Sequence, residues 1–266
     1  MMLESIRRVV TEVKQRIKSA ARVSLFVDFD GTLVPIEANP ASPRVDSGTA
    51  EVLHELSGRD FLVTSVISGR AVEDLYARIR VQGLIYAGNH GLEIFGRNLL
   101  FVEPRATARR HELEHLCDEL RVQLQPIKGT MVEFKELTAT VHYRRAAEYD
   151  RPAIEIAVRS AVARVGDLFR LNPGKKVFEI LPRTSWHTGA AVRWINDHIG
   201  DEKVLSVYLG DDTSDEDAFC TLPDAVTVKV GRARATCAKH RLPDPGAVHQ
   251  FLLWLAIQEL ERPRTR

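Results

Sequence analysis

The chain has 266 residues, 44% hydrophobic and 27% charged, with 37 Lys and Arg against 36 Asp and Glu for a formal charge of +1. That composition belongs to a folded globular protein and excludes an intrinsically disordered one. The balanced charge excludes a general attraction to nucleic acid or an anionic membrane, and leaves room for a small anionic substrate held by local positive charge. The length allows one large domain or a core carrying an inserted module.

At the N-terminus, Leu3, Ile6, Val9, Val10, Val13 and Ile17 recur at helical spacing with charges between them, which predicts an amphipathic helix rather than a signal peptide. No stretch is long and apolar enough to span a bilayer, and without an export signal the expected compartment is the cytoplasm. Arg7-Arg8 and Arg262 to Arg266 read as solvated tails. Cys117, Cys220 and Cys237 lie far apart with no C-x-x-C pair, so they read as three buried small hydrophobes in a reducing compartment, without disulfide or zinc.

The apolar run Val23 to Val27 predicts a buried strand, and it runs out into Asp28-Phe29-Asp30-Gly31-Thr32. The carboxyl ends of parallel strands are where open α/β sheets bind ligands. Two carboxylates there can divide the work of phosphoryl transfer: one attacks phosphorus, the other gives a proton to the leaving oxygen and later takes one from water. Gly31 permits the tight turn, and Thr32 offers a hydroxyl and an N–H to phosphate oxygens. An ordinary Asp-rich turn is the structural alternative.

Further strand-like runs follow at Leu62 to Ile67, Leu84 to Ala87, Val204 to Leu209 and Ala225 to Val230, separated by helical patterns such as Ala71 to Ile79 and Gly189 to His198. This alternation predicts a parallel sheet. Ser68-Gly69-Arg70 opens the helix after the second run, where Ser68 serves equally as an N-cap or as a phosphate ligand. Gly210-Asp211-Asp212-Thr213-Ser214-Asp215-Glu216-Asp217 sets five acids directly after a buried strand. Like charges so close call for a hard cation, and Mg²⁺ commonly takes one or two carboxylates plus phosphate, which makes Asp211 a candidate ligand. Ser214 or Asp215 could instead cap the helix, with Glu216 and Asp217 complementing its dipole.

The middle of the chain behaves differently. A long helix over Arg109 to Gln123 and a second over Ala153 to Val165, with Pro152 in its first turn, accompany short strands. Leu137, Ala139, Val141 and Tyr143 alternate with Thr138, Thr140, His142 and Arg144, the pattern of an antiparallel sheet with one covered face. Residues 96–174 therefore read as an α+β cap inserted into an α/β core of residues 1–95 and 175–266.

Asp28-Phe29-Asp30-Gly31-Thr32-Leu33-Val34-Pro35-Ile36, Ser68-Gly69-Arg70 and the 210–217 string together resemble the haloacid dehalogenase (HAD) phosphatases, and among them the trehalose-6-phosphate phosphatase family. Gly88-Asn89-His90-Gly91-Leu92-Glu93, Lys135 with His142-Tyr143-Arg144, and Gly174-Lys175-Lys176-Val177-Phe178-Glu179-Ile180 are similar to further segments of that family. The resemblance implies a HAD-type Rossmann-like parallel-sheet core with an inserted α+β cap. It implies Asp28 as nucleophile and Mg²⁺ ligand, Asp30 as general acid/base and ligand through its carbonyl, Asp211 as a further ligand, and Asp212 and Asp215 as supports. By the same resemblance Ser68 and Gly69 would hold the phosphoryl group, while Arg70, Asn89, His90, Lys135, His142, Arg144 and Glu179 would line the sugar cleft.

One departure stands out. Where the family writes W-D-K-G or W-N-K-G, this chain has Trp186-His187-Thr188-Gly189, so Thr188 replaces a lysine that bridges nucleophile and phosphate. His187, Lys175, Lys176, or water with Mg²⁺ are the candidates to offset that charge. The expected activity is Mg²⁺-dependent hydrolysis of trehalose 6-phosphate through an aspartyl phosphate, with a functional link to a trehalose-6-phosphate synthase and no nucleic-acid or membrane partner. The alternatives are phosphatases of sucrose phosphate, glucosylglycerol phosphate or mannosyl-phosphoglycerate, and a non-catalytic sugar-phosphate binder.

Overall fold

The computed structural model describes residues 2–37, 39, 41–200, 203–232 and 235–258, and Arg262 to Arg266 lie outside them. The chain divides into two compact units, Met1–Phe101 with His187–Arg266, and Val102–Trp186. From the N-terminus run α1 (Met2–Ile17), β1 (Arg22–Asp28), α2 (Ser47–Ser57), β2 (Leu62–Ile67), α3 (Val72–Ile79), β3 (Ile85–Gly88), β4 (Glu93–Gly96) and β5 (Leu99–Val102). In α1 the expected apolar stripe buries Val9 and Val13 completely, while Leu3 stays exposed. Arg7 and Arg8 are exposed positions of this helix, so they belong to no tail.

The second unit contains α4 (Pro104–Ala108), α5 (Arg110–Leu124), β6 (Met131–Phe134), β7 (Ala139–His142), α6 (Arg151–Arg164), β8 (Phe169–Gly174) and β9 (Val177–Pro182). Its four strands form one sheet in the order β6-β7-β9-β8, every pairing antiparallel. The two-residue period predicted at 137–144 is realised: Ala139, Val141 and Tyr143 join Phe178 and Ile180 against Leu113 and Leu120 of α5 and Ile154 and Val158 of α6. Threonines, acids and His142 occupy the alternate positions.

The first unit resumes with α7 (Thr188–His198), β10 (Val204–Gly210), α8 (Thr213–Thr221), β11 (Val226–Val230), β12 (His240–Leu242) and α9 (Pro245–Ala256). Its eight strands are ordered β12-β11-β10-β1-β2-β3-β4-β5. They are parallel from β12 to β3, and β4 turns antiparallel on β3. The strands read as continuous hydrophobe because both faces are covered. Val23, Leu25 and Val27 join a core with Val9, Leu53 and Phe251, drawn from α1, α2 and α9. On the other face Phe26 stacks with Tyr208, which meets Phe219 of α8 edge-on at 5.6 Å between ring centroids.

The boundaries of the inserted unit fall later than residues 96 and 174. Arg97 and Asn98, both with positive φ, close a two-residue hairpin that keeps β4 and β5 on the large sheet. At the far end β9 pairs with β7 and β8, so residues 177–182 stay in the small sheet.

The cysteine expectation fails in part. Cys117 is buried as anticipated, but Cys220 and Cys237 are joined by a disulfide across a sequence separation of 17. The chain leaves α8, crosses the sheet as β11 and returns beside the helix it left, a closure that linear cysteine spacing does not reveal.

Candidate active site

β1 leads to β2 on one side and lies against β10 on the other, with Val27 in register with Leu209. The connections leave in opposite directions at this point, and the carboxyl ends of β1 and β10 open the crevice that such a topology provides. Asp28 ends β1, and Asp211 follows the last residue of β10. Phe29 is fully buried and fixes the turn between the acids. The turn closes through Gly31 N–H to the Val34 carbonyl at 2.8 Å and Leu33 N–H to the Phe29 carbonyl at 3.0 Å. Gly31 has φ +93°, and a Cβ on it would lie 2.3 Å from an Asp211 carboxylate oxygen. Only glycine lets the two acidic loops approach this closely.

Carboxylate oxygens of Asp28, Asp211 and Asp215 lie within 4.8 Å of one another. Asp211 and Asp215 are buried. Asp28 is half-buried by surface, yet its Oδ2 is fully enclosed and has no hydrogen-bond partner among the described residues. Burial, then the charges of Asp215, Asp211 and Asp30, push the Asp28 carboxyl well above the usual carboxylate range. Asp215 is pushed up to about 7, chiefly by burial and further by Asp211 and Asp212, against the hydrogen bonds it accepts. These are the Asp212 N–H at 2.9 Å and the Tyr208 hydroxyl at 2.8 Å. Three enclosed, mutually repelling oxygen donors are a donor set that fits a hard divalent cation.

Asp30 does something else with its side chain: it receives Arg70 Nε at 2.6 Å and Nη2 at 2.9 Å. Arg70 was expected against a sugar, but its side chain is only 12% exposed and its guanidinium carbon sits 5.5 Å from the Phe29 ring centroid. Ser68 is buried and caps no helix, since Ala71 is the N-cap residue of α3. Its Oγ instead accepts the Arg70 N–H at 3.2 Å. Gly69 completes this turn, which the 88–93 segment braces: Asn89 N–H donates to the Arg70 carbonyl and His90 N–H to the Ser68 carbonyl. Asn89 and His90 both take left-handed backbone to do so. Glu93 Oε1 accepts from Val72 N–H at 2.9 Å and Asn89 Nδ2 at 2.7 Å. Asn89 is thus fully buried and serves as a brace.

At the head of α8 the N-cap is Asp212, in a reciprocal capping box with Asp215, rather than Ser214 or Asp215. Glu216 does more than complement the dipole. It pairs with Lys229 Nζ at 2.8 Å and accepts the Cys237 N–H at 2.9 Å and the Thr236 hydroxyl at 3.0 Å. Lys229 is buried and also donates to the Asp212 carbonyl at 3.3 Å. Sequence reasoning missed this residue, although a lysine inside the strand Val226–Val230 carries a signal: a buried ammonium must have a partner. His187 is the N-cap residue of α7, and Thr188, buried, is that helix's first residue.

In the second unit, His142 Nε2 lies 2.7 Å from Glu133 Oε2. Glu133, Thr140 and Glu179 are successive partners across β6, β7 and β9, so they share the face that the alternation left polar. Lys135 is buried just past β6. Arg144 is exposed and donates to the Lys175 carbonyl at 2.8 Å. Lys176, a candidate replacement cation, is paired with Glu148 at 2.7 Å.

The trehalose-phosphatase family model matches residues 26–243. Trehalose-phosphate phosphatases of Mycobacterium bovis and Mycobacterium tuberculosis are 35% identical over 253 residues, covering 92% of this chain and 64% of theirs, so the chain spans under two thirds of these relatives' length. A Mycobacterium tuberculosis protein named an uncharacterized glycosyl hydrolase is 34% identical over 253 residues, which make up 19% of it. Among solved structures, the C-terminal domain of the C. albicans trehalose-6-phosphate phosphatase matches with a TM-score of 0.80 at 23% identity, covering 92% of this chain and 96% of that one. Fold, acidic loops and sequence thus agree, and the chain belongs to the trehalose-phosphatase family of the HAD superfamily, with a HAD-type Rossmann-like core and an inserted second unit.

Proposed function

We propose that the chain is a Mg²⁺-dependent phosphatase that hydrolyses trehalose 6-phosphate to trehalose and phosphate. The observation that carries this reading is the convergence of Asp28, Asp211 and Asp215 at the ends of β1 and β10. The family match and the names of the mycobacterial relatives support the substrate. Asp28 attacks phosphorus in line, the bond from phosphorus to the sugar oxygen breaks, and Asp30 gives that oxygen its proton. Asp30 then takes a proton from the water that hydrolyses the aspartyl phosphate. Arg70 holds Asp30 in place through both steps, and Ser68 and Gly69 hold phosphoryl oxygens. Asp28 and Asp211, together with the Asp30 carbonyl and with Asp212 and Asp215 in support, would hold the Mg²⁺. When bound, the ion offsets phosphoryl charge and orients the ester. His90, Lys135, His142, Arg144, Glu179 and His187 are assigned to the sugar and its phosphate. A functional link to a trehalose-6-phosphate synthase and a cytoplasmic setting belong to the same proposal.

Thr188, standing where the family has lysine, favours a second reading in which the chain binds a sugar phosphate without turning it over. Phosphate release from trehalose 6-phosphate, sucrose phosphate, glucosylglycerol phosphate and mannosyl-phosphoglycerate, with and without Mg²⁺, decides. The first reading requires Mg²⁺-dependent release that is greatest for trehalose 6-phosphate and absent in Asp28→Asn. Saturable binding of trehalose 6-phosphate with no release at any Mg²⁺ concentration establishes the second.

A further inference from the structure

The Cys220–Cys237 disulfide joins two exposed residues, so a reductant in solution can reach it. It also lies on the structural path to the acidic cluster. Cys220 stands one turn beyond Glu216 on α8, and both reach the same short stretch of chain, Cys220 through the disulfide and Glu216 through the Thr236 hydroxyl and Cys237 N–H. Glu216 holds Lys229, and Lys229 reaches the Asp212 carbonyl, the N-cap position of α8. From Asp212 the capping box leads directly to Asp215, one of the three clustered carboxylates. Along the same helix, the Thr221 carbonyl accepts from Arg193 Nη1 at 3.0 Å, which ties the carboxyl end of α8 to α7. α8 is therefore anchored at one end by the disulfide and at the other by the acids that would hold the cation.

We propose that Cys220–Cys237 is a thiol–disulfide exchange site through which a dithiol reductant lowers the divalent-cation affinity of the Asp28, Asp211 and Asp215 cluster. The inference rests on reading that cluster as a cation site. A thiolate of the reductant attacks one sulfur, the S–S bond breaks, and the other cysteine leaves as thiolate and takes up a proton. The reductant's second thiol, losing its proton, then attacks the mixed disulfide, leaving two protein thiols and one oxidised dithiol. With the covalent tie gone, the hydrogen bonds to Glu216 are what hold the 236–237 segment to α8 among the described residues, and the Glu216–Lys229–Asp212 chain that sets Asp215 loses its fixed end.

The test compares the full chain oxidised, reduced with dithiothreitol, and as the Cys220→Ser/Cys237→Ser double variant. Thiols are counted by native alkylation and mass spectrometry, and Mn²⁺ binding is read from the electron paramagnetic resonance of the free ion. Expected is alkylation of Cys220 and Cys237 only after reduction, with Mn²⁺ binding weakened roughly fivefold or more, an ordinary size for coupling between two sites. Reoxidation restores the affinity of the native chain, and the double variant matches the reduced form whether or not reductant is present. Full reduction with unchanged Mn²⁺ affinity overturns the coupling, and failure of the disulfide to reduce under native conditions overturns the exchange site. Absence of Mn²⁺ binding in every form overturns the cation-site reading itself, and this inference with it.

Discussion

Arg70 grips Asp30 with two hydrogen bonds, Nε to Oδ2 at 2.6 Å and Nη2 to Oδ1 at 2.9 Å, while its Nη1 holds Asp74 Oδ2 at 3.0 Å. The planar fork fixes the orientation of the carboxylate proposed as acid and base, which a point charge could not do. Arg70→Ala is expected to lower kcat about 100-fold, the low end of what a positioned general acid contributes. Arg70→Lys should recover only part of that loss, and Asp74→Asn should cost far less. Steady-state kinetics separates this from sugar binding: a raised KM at unchanged kcat would place Arg70 on the substrate instead.

Crowded carboxylates make the metal-free protein sensitive to pH. Asp215 is raised to about 7 and Asp28 well above its ordinary value of 3.8, so between about pH 4 and 7 the folded state keeps protons that the unfolded state releases. Their contribution to stability is complete below the unfolded value and is lost as pH rises through the folded one. In EDTA the melting temperature should therefore fall between pH 5 and pH 8 by roughly 5 °C or more. Mg²⁺ should restore it at pH 8 and do little at pH 5. A flat or rising melting curve in EDTA would show that the three acids do not crowd one another.

Gly31→Ala tests the close approach of the two loops. Its Cβ would meet the Asp211 carboxylate at 2.3 Å, and the φ of +93° is costly for any side chain. Expected is a folded protein with normal far-ultraviolet circular dichroism that no longer binds Mn²⁺ and releases no phosphate. Retained Mn²⁺ binding would mean that the loops can separate without losing the cation.

The places where sequence reading succeeded and failed have physical causes. β1, β2, β3, β10 and β11 were legible because strands covered on both faces are written as apolar runs, and the acids were legible because they interrupt those runs at the carboxyl end. The small sheet showed itself through the alternation at 137–144. Helices α2 and α9 passed unread, although Asp46 and Asp244 cap them by accepting the N–H groups of Thr49 and Ala247. What no local pattern carries is long-range closure. The hairpin 93–102 returns to the large sheet, Cys237 comes back to Cys220, and Arg70 turns to Asp30 across 40 residues of chain.

Lys229, a lysine written into the apolar strand Val226–Val230, is a local signal of a buried ion pair. Its side chain is 4% exposed and paired with Glu216 at 2.8 Å, so removing one partner strands the other charge. Lys229→Met alone leaves the half-buried Glu216 without its ion-pair partner and is expected to destabilise by about 1 kcal/mol or more, and Lys229→Met with Glu216→Gln by less, since no charge is then left alone. Chemical denaturation of the single and double variants reads the coupling. Equal losses in both would show that Lys229 stabilises through contacts other than its pairing with Glu216, such as that of its ammonium, 5.9 Å from the Phe219 ring centroid.

Thr188 is 3% exposed at the first position of α7, so a lysine placed there has little water to turn to. If its ammonium reaches the acidic cluster, it gains partners and supplies the cation that the family places at this position. If it does not, the variant carries a buried, unpaired charge and should melt several degrees lower. Thr188→Lys is expected to keep its melting temperature and to raise phosphate release at saturating Mg²⁺ about 10-fold or more, a gain of roughly 1.4 kcal/mol in transition-state stabilisation. A stable variant with unchanged or lower turnover would mean that the native chain already supplies this charge by other residues, and a His187→Ala variant would then be the one to lose activity.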